Sequence, residues 1–432
     1  MIDNIIAVFK PLRAQKLLHS KKARQISSLY FSTILSVFLG IGTSVLNTRL
    51  LAPQQFGDLK FLQNCFAFFI PFITLGIFFS GSRLLAQNQH DKIRPQLNGA
   101  LLINAVAIAA VLMIGFYCFS FFEESIFKNN LSTTMRIITP LLWVLPLQLC
   151  LDNILQGENK IYELSFFRLA PQVLYLLGAI LFNYFFALTL LSALSIQLIS
   201  IGIFILIRII RQKPQFKNLK PHLSLLWQEN KTYGFHVYIG AITGVVSADL
   251  GGLAIGYFID NTHVGYYGLA IATAAPLIII PNAIGTTFFK DFANMKYIPP
   301  KIMLSTIALS GATLCCFILI IKQVILFLYS SNYSPAVSLS YILSIACTCH
   351  GFGDFINRFM GAHGKGREMR NSNFAICIVN IVGYTLLVSI FGVIGAALTR
   401  LGGSLMYLIM MCYYYKKFRN FMHNSPEPTQ YA

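Results

Sequence analysis

Apolar residues fall into twelve runs of about twenty, separated by short polar connections. They occupy about 26–48, 59–82, 97–122, 132–155, 169–187 and 189–210, then about 232–258, 265–289, 302–328, 336–359, 371–391 and 393–415. A helix of that length crosses the ~30 Å hydrocarbon core of a bilayer, so each run predicts a membrane-crossing helix. The pattern as a whole predicts an all-α integral membrane protein with about 12 transmembrane helices.

The polar positions orient those helices. Of the 33 Lys and Arg residues, 27 lie in the two tails and in every second connection. The alternate connections hold only Arg49, Lys60, Lys128 and Arg136. Cytoplasmic loops of membrane proteins collect Lys and Arg, so both termini are predicted on the cytoplasmic side. Residues 1–25 are basic and contain no apolar core or cleavage site of a signal peptide; Ile2, Ile5, Ile6 and Phe9 suit one face of a surface helix.

Composition agrees with this picture. The chain is 56% hydrophobic and only 11% charged, whereas a soluble domain carries about 25% charged residues. The formal net charge of +18 would suggest nucleic acid in a soluble protein. Here the cations flank membrane segments, so anionic headgroups are the expected partner and nucleic acid is not. The nine cysteines are scattered and mostly apolar in setting, without a disulfide framework. Cys347, Cys349 and His350 come nearest to a metal motif, but no second ligand pair accompanies them. No metal or cofactor is expected.

The longest connection divides the runs six and six. The boundaries read as a basic N-terminal segment (1–25), a first six-helix half (26–210), a linker (211–231), a second half (232–415) and a tail (416–432). Internal similarity supports two repeats. LLAPQQFGDLKF at 50–61 aligns with FIDNTHVGYYGL at 258–269, matching Gly57 with Gly265. LQGENK at 155–160 matches FMGAHGK at 359–365. Two similar halves around a central cavity form a familiar transporter plan.

Charges inside crossings are costly, about 2.5–3.5 kcal/mol on insertion scales, and mark function by default. Four stand out: Arg49 ending the first run, Asp249 deep in the seventh, Lys322 in the ninth and Arg400 in the twelfth. Arg49 and Lys322 also suit snorkelling to headgroups. Asp249 has no nearby cation in sequence and reads as a cavity group and ion-coupling candidate, with Arg49 or Arg400 as partner. Asp152 and Asp354 occupy equivalent places near the ends of the fourth and tenth runs. Small and polar residues crowd the first and seventh runs, which suits either close helix packing or a shared aqueous path. Enzyme signatures are lacking. GAHGKG at 361–366 lacks the spacing of a phosphate loop, and Glu123 with Glu124 sits in a connection too short for a sugar-cleaving site.

The basic start, NTRLLAPQQFGDLKF at 47–61 and NILQGENK at 153–160 resemble bacterial polysaccharide flippases. These are the O-antigen (Wzx-type) members of the multidrug/oligosaccharidyl-lipid/polysaccharide exporter superfamily. The resemblance spans nearly the whole chain, with Ala52 where a Gly is usual. It implies a non-enzymatic transporter of the bacterial inner membrane that flips an undecaprenyl-diphosphate-linked oligosaccharide by alternating access. Arg49, Lys322 and Arg400 would give the diphosphate a positive field, and Asp249 would exchange H+ or Na+. A polysaccharide polymerase and a chain-length regulator are the implied protein partners. A multidrug/cation antiporter of the same fold remains the alternative; it calls for several inward carboxylates.

Overall fold

The computed structural model describes residues 21–87 and 93–424. The surface helix read at Ile2, Ile5, Ile6 and Phe9 lies outside the described residues. Within them the chain is all-α. Eight helices are long and apolar enough to cross a membrane, and three bent pairs raise this to as many as eleven. The longest, Gly366–Asn424, has 59 residues and breaks at Gly392, with φ 61° and ψ −143°. Unbroken it would run about 90 Å, three times the hydrocarbon core. Gly392 folds it into a hairpin in which Gly383 backs onto Thr399 and Gly403 onto Asn380. Its two arms are the eleventh and twelfth crossings.

The first crossing is Lys21–Leu50, and the second bends by 64° between Pro53–Thr74 and Ile77–Gln87. The third is Arg94–Phe119, and the fourth bends by 43° between Ser132–Leu141 and Val144–Gly157. Ile161–Phe185 and Leu190–Gln212 complete the first half. The linker contains a helix, Leu219–Glu229, that runs through a π-turn into the seventh crossing, Phe235–Phe258. Asn261–Thr287, Pro300–Leu328 and Pro335–Ala362 are the eighth, ninth and tenth. The last helix continues to Asn424, well past the apolar run that ends near 415.

One apolar core runs through both halves, from Phe56 and Leu151 to Tyr267 and Tyr384, and a smaller one around Phe292, Phe355 and Phe359 lies in the second half. The first crossing packs on the fifth and the third on the fourth, while the seventh and tenth pack on the terminal hairpin. The halves meet where the second crossing touches the seventh and eighth. At the end away from the basic connections, hereafter the far end, the contact is backbone to backbone. A Cβ on Gly57 would stand 1.9 Å from the Asn261 carbonyl oxygen, and one on Gly265 would stand 3.0 Å from the Gly57 Cα. The two glycines aligned as repeat equivalents therefore touch each other. Beside them the Asn261 amide donates to Asp58 Oδ1 at 2.7 Å, and Phe56 meets Tyr333 edge to face.

The first crossing also seats on the far half of the eighth, whereas the basic half of the eighth packs on the ninth and tenth. Ion pairs hold the basic end: Arg83 to Glu229 at 2.8 Å, Lys160 to Glu158 at 2.7 Å, and Arg208 between Glu158 and Glu163.

Candidate functional site: a polar cavity in the second half

Three crossings of the second half each turn a polar ladder toward a common space. The tenth supplies His350, Asp354 and Asn357; the eleventh supplies Asn373 and Asn380; the twelfth supplies Arg400, Ser404 and Tyr407. Within each helix the spacings are three, four or seven, which place side chains on one face. Thr243 and Gly244 of the seventh crossing close the cavity, whose volume is about 310 Å³.

Arg400 is half-buried on the twelfth crossing. Its electrostatic neighbours are Tyr384, Tyr267, Cys347 and Asp249. The Tyr267 and Tyr384 hydroxyls lie 3.3 Å apart. The Tyr384 ring fills the space left by Gly251, where a Cβ would stand 2.8 Å from it. Asp249 lies in the field of Arg400. Further along, the charges of Asp354 and Arg400 act on His350 in opposite senses. The His350 ring lies 4.8 Å from that of Tyr407, and the Tyr407 hydroxyl donates to Asp354 Oδ1 at 3.0 Å. Asp354, Arg400 and His350 thus line one pocket, while Asp249 stands outside that lining and is tied to it through the field of Arg400. Such a set can exchange a proton or small cation, because each charge is balanced by a neighbour instead of by bulk water.

Asp249 and Arg400, picked from the sequence, come together. Arg49 and Lys322 do not join them. Arg49 is exposed at the far end, where its Nε donates to the Leu328 carbonyl at 2.7 Å and its Nη2 to that of Phe327. These are last-turn carbonyls of the ninth crossing, which lack helical donors of their own, and a cation there also suits the helix dipole. Lys322 is exposed on the ninth crossing, outside the cavity lining. Asp152 pairs with Arg168 at 3.0 Å, unlike its repeat partner Asp354. Much of the polar stripe on the first crossing bonds to the fifth. Ser32 donates to Ser165, Gln172 to Ser36, and Tyr175 to Asn47 at 3.1, 2.8 and 2.5 Å. Those residues serve helix packing.

Sequence reasoning missed Lys60 by assigning it to a connection. The second crossing begins at Pro53, six residues before the apolar run, so Lys60 lies two turns inside it. A proline at the first helical position was the available signal. Lys60 is half-buried, donates to Gln63 at 3.2 Å, and rests its methylenes near Gly268 of the eighth crossing. Gln63 in turn donates to Gln197 of the sixth at 2.8 Å. A cation thus stands at the seam between the halves. His350 was read only beside Cys347 and Cys349 as a weak metal motif, and Asn373 and Asn380 were overlooked because a search for charges skips neutral ladders.

A family model described as polysaccharide biosynthesis protein matches residues 23–289. No curated protein sequence matches the chain. Among solved structures, the lipid II flippase MurJ in an inward closed conformation aligns at TM-score 0.69 and 15% identity, covering 91% of this chain and 89% of that one. The MATE multidrug transporter DinF-BH aligns at TM-score 0.67 and 14% identity, over 93% and 97% of the two chains. An inward-facing MATE family transporter of the MOP superfamily aligns at 0.65 and 13%, over 90% and 95%. At such identities the likeness is one of fold, shared with the lipid II flippase and the MATE transporters.

Proposed function

The chain belongs to the polysaccharide biosynthesis protein family, and we propose that it flips an undecaprenyl-diphosphate-linked oligosaccharide across the bacterial cytoplasmic membrane for O-antigen or another surface polysaccharide. The basic end faces the cytoplasm in this reading, because Lys/Arg-rich loops are retained there. The observation that carries it is the seam between the halves. There the second crossing meets the second half backbone to backbone, at Gly57 and Gly265 on the far side and at Gly76 and Gly234 toward the basic side, so that the asymmetry lies in the first crossing. On the basic side the first crossing leaves the eighth to its own half. A substrate headgroup would enter from the cytoplasmic leaflet beside the first crossing while its polyprenyl tail stays in lipid. Lys60 at the seam and Arg400 beyond it provide cations for the diphosphate, and the guanidinium suits two phosphate oxygens at once.

Asp249, with Arg400, His350 and Asp354, is the proposed place of ion exchange. Protonation or Na+ binding at Asp249 would release Arg400 from its carboxylate neighbour and free it for phosphate. The decisive experiment is complementation of a flippase-deletion host. Asp249→Asn and Arg400→Ala are each expected to cut surface polysaccharide at least tenfold at equal membrane abundance. Wild-type polysaccharide from both variants would remove the cavity assignment.

Two carboxylates on either side of Arg400, Asp354 in the cavity lining and Asp249 in the field of the guanidinium, also favour a second reading, a multidrug/cation antiporter. That reading expects drug resistance in a sensitised host and no effect on polysaccharide.

A further inference from the structure

Each half carries a groove on its outer surface at the basic end. In the first half it lies between the start of the fifth crossing and the end of the sixth, with a volume of about 340 Å³. Tyr162, Phe166 and Phe204 wall it, and Arg208 and Arg211 stand at its mouth. The Phe166 and Phe204 rings meet edge to face at 5.8 Å. In the second half a groove of about 210 Å³ lies at the end of the twelfth crossing, between Tyr414, Phe418, Phe421, Lys365 and Lys417. Lys365 Nζ stands 5.5 Å over the Phe418 ring. The sixth and twelfth crossings are the last of their halves, so Arg211 and Lys417 hold corresponding positions at the basic end.

The charge balance is also alike. Each groove has two cations and one carboxylate in its lining. Glu163 is bonded to Arg208, which also faces Glu158 at 3.7 Å. Arg211 is exposed and forms no ion pair among the described residues, so its guanidinium is available. In the other groove two lysines face the single Glu368. The rings are outward as well: Phe166 is 59% exposed, which would be unfavourable in water but suits acyl chains.

We propose that the two grooves are twin binding sites for an anionic phospholipid, with its phosphate on Arg211 or Lys417 and its acyl chain along the neighbouring rings. A cation beside lipid-exposed aromatics at the level of the basic loops matches the layering of a phospholipid, headgroup over chain. A zwitterionic lipid offers no net charge to the unpaired cation. The recurrence of the arrangement in both repeats is a second observation, independent of the make-up of either groove. The proposal does not rest on which substrate is carried. Bound lipid would tether the outer edge of each half to one leaflet, giving each a fixed point while the seam opens.

The test is native mass spectrometry of the detergent-purified full chain mixed with equal phosphatidylglycerol and phosphatidylcholine of identical acyl chains. Up to two phosphatidylglycerols are expected to be retained in preference. Arg211→Ala or Lys417→Ala should each lower occupancy of one site about fivefold, the effect of one basic group near a headgroup. Arg211→Lys and Lys417→Arg should restore it, which separates lost charge from lost fold. Lys217→Ala with Lys301→Ala, exposed cations of the same end outside the grooves, should change nothing. Equal retention of the two lipids, undiminished phosphatidylglycerol in the Arg211→Ala/Lys417→Ala protein, or an equal fall in the Lys217/Lys301 control would each overturn the proposal.

Discussion

At the scale of single residues, Gly57 shows how a side chain's absence can hold two halves together. The nearest atoms to a Cβ there belong to the Asn261 backbone, at 1.9 Å and 2.5 Å, and cannot swing aside. Gly57→Ala is expected to part the far-end contact and destabilise the protein by about 1–3 kcal/mol, the usual range for overpacking. Thermal unfolding of purified protein would show it as a drop of several degrees. Gly115→Ala, which meets nothing within 4 Å, should leave the melting temperature unchanged or slightly higher. The two arginines form a second contrast. Arg49→Gln loses a helix-end contact contributing about 0.3–1 kcal/mol and should still support wild-type polysaccharide, unlike Arg400→Ala. Composition makes these arginines equivalent; they differ in what the fold sets beside them. The pairing of Gly57 with Gly265 was legible as a repeat correspondence. That the matched glycines would touch was not, because contact depends on how the repeats are placed around a common axis.

Elements show where legibility ends and why. Apolar length alone marked twelve crossings, and the break between 391 and 393 coincides with the hairpin at Gly392. The 64° bend of the second crossing left no such mark. Leu75 and Gly76 turn with φ of 47° and 83°, and the freed Leu75 carbonyl accepts from Asn230 Nδ2 at 3.0 Å. A leucine in that conformation is disfavoured locally, so only the tertiary partner explains it. The polar ladders were legible in principle, since His350, Asp354 and Asn357 repeat at helical spacing. Their convergence depended on which helix faces which. The short helix Glu123–Phe127 after the third crossing adds a pH response. Burial pushes the Glu123 carboxyl from 4.5 up to about 7; a Leu131 backbone bond opposes this, and the charges of Glu124 and Asp58 add to it. Between those values the native chain keeps a proton that the unfolded chain has lost, so stability should fall as pH rises from 4.5 to about 7. Melting curves across that window should slope downward for the wild type. The slope should flatten in Glu123→Gln, which cannot ionise; parallel slopes would place the titrating group elsewhere.

For the whole molecule, the proposed transport by alternating access makes these contacts one of two states. The far end is sealed by glycine backbones and by the bond from Asn261 to Asp58 at 2.7 Å. Under the proposed function, delivery of a headgroup to the opposite leaflet requires that seal to open, and a packed interface of this kind opens as a unit. Cysteines at 58 and 261, in a background lacking Cys118, Cys315, Cys316 and Cys412, which are exposed, should form a disulfide under mild oxidation. That crosslink would hold the far end shut while leaving the basic end free to accept substrate. Polysaccharide export is then expected to stop on oxidation and to return on reduction, with membrane abundance constant throughout. Substrate binding at the basic end should survive the crosslink, which distinguishes a blocked transition from a damaged site. Continued export by the crosslinked protein would mean that substrate passes without separation of Gly57 from Gly265. The two halves would then not work by rocking about this seam, and the path would have to be sought within one half.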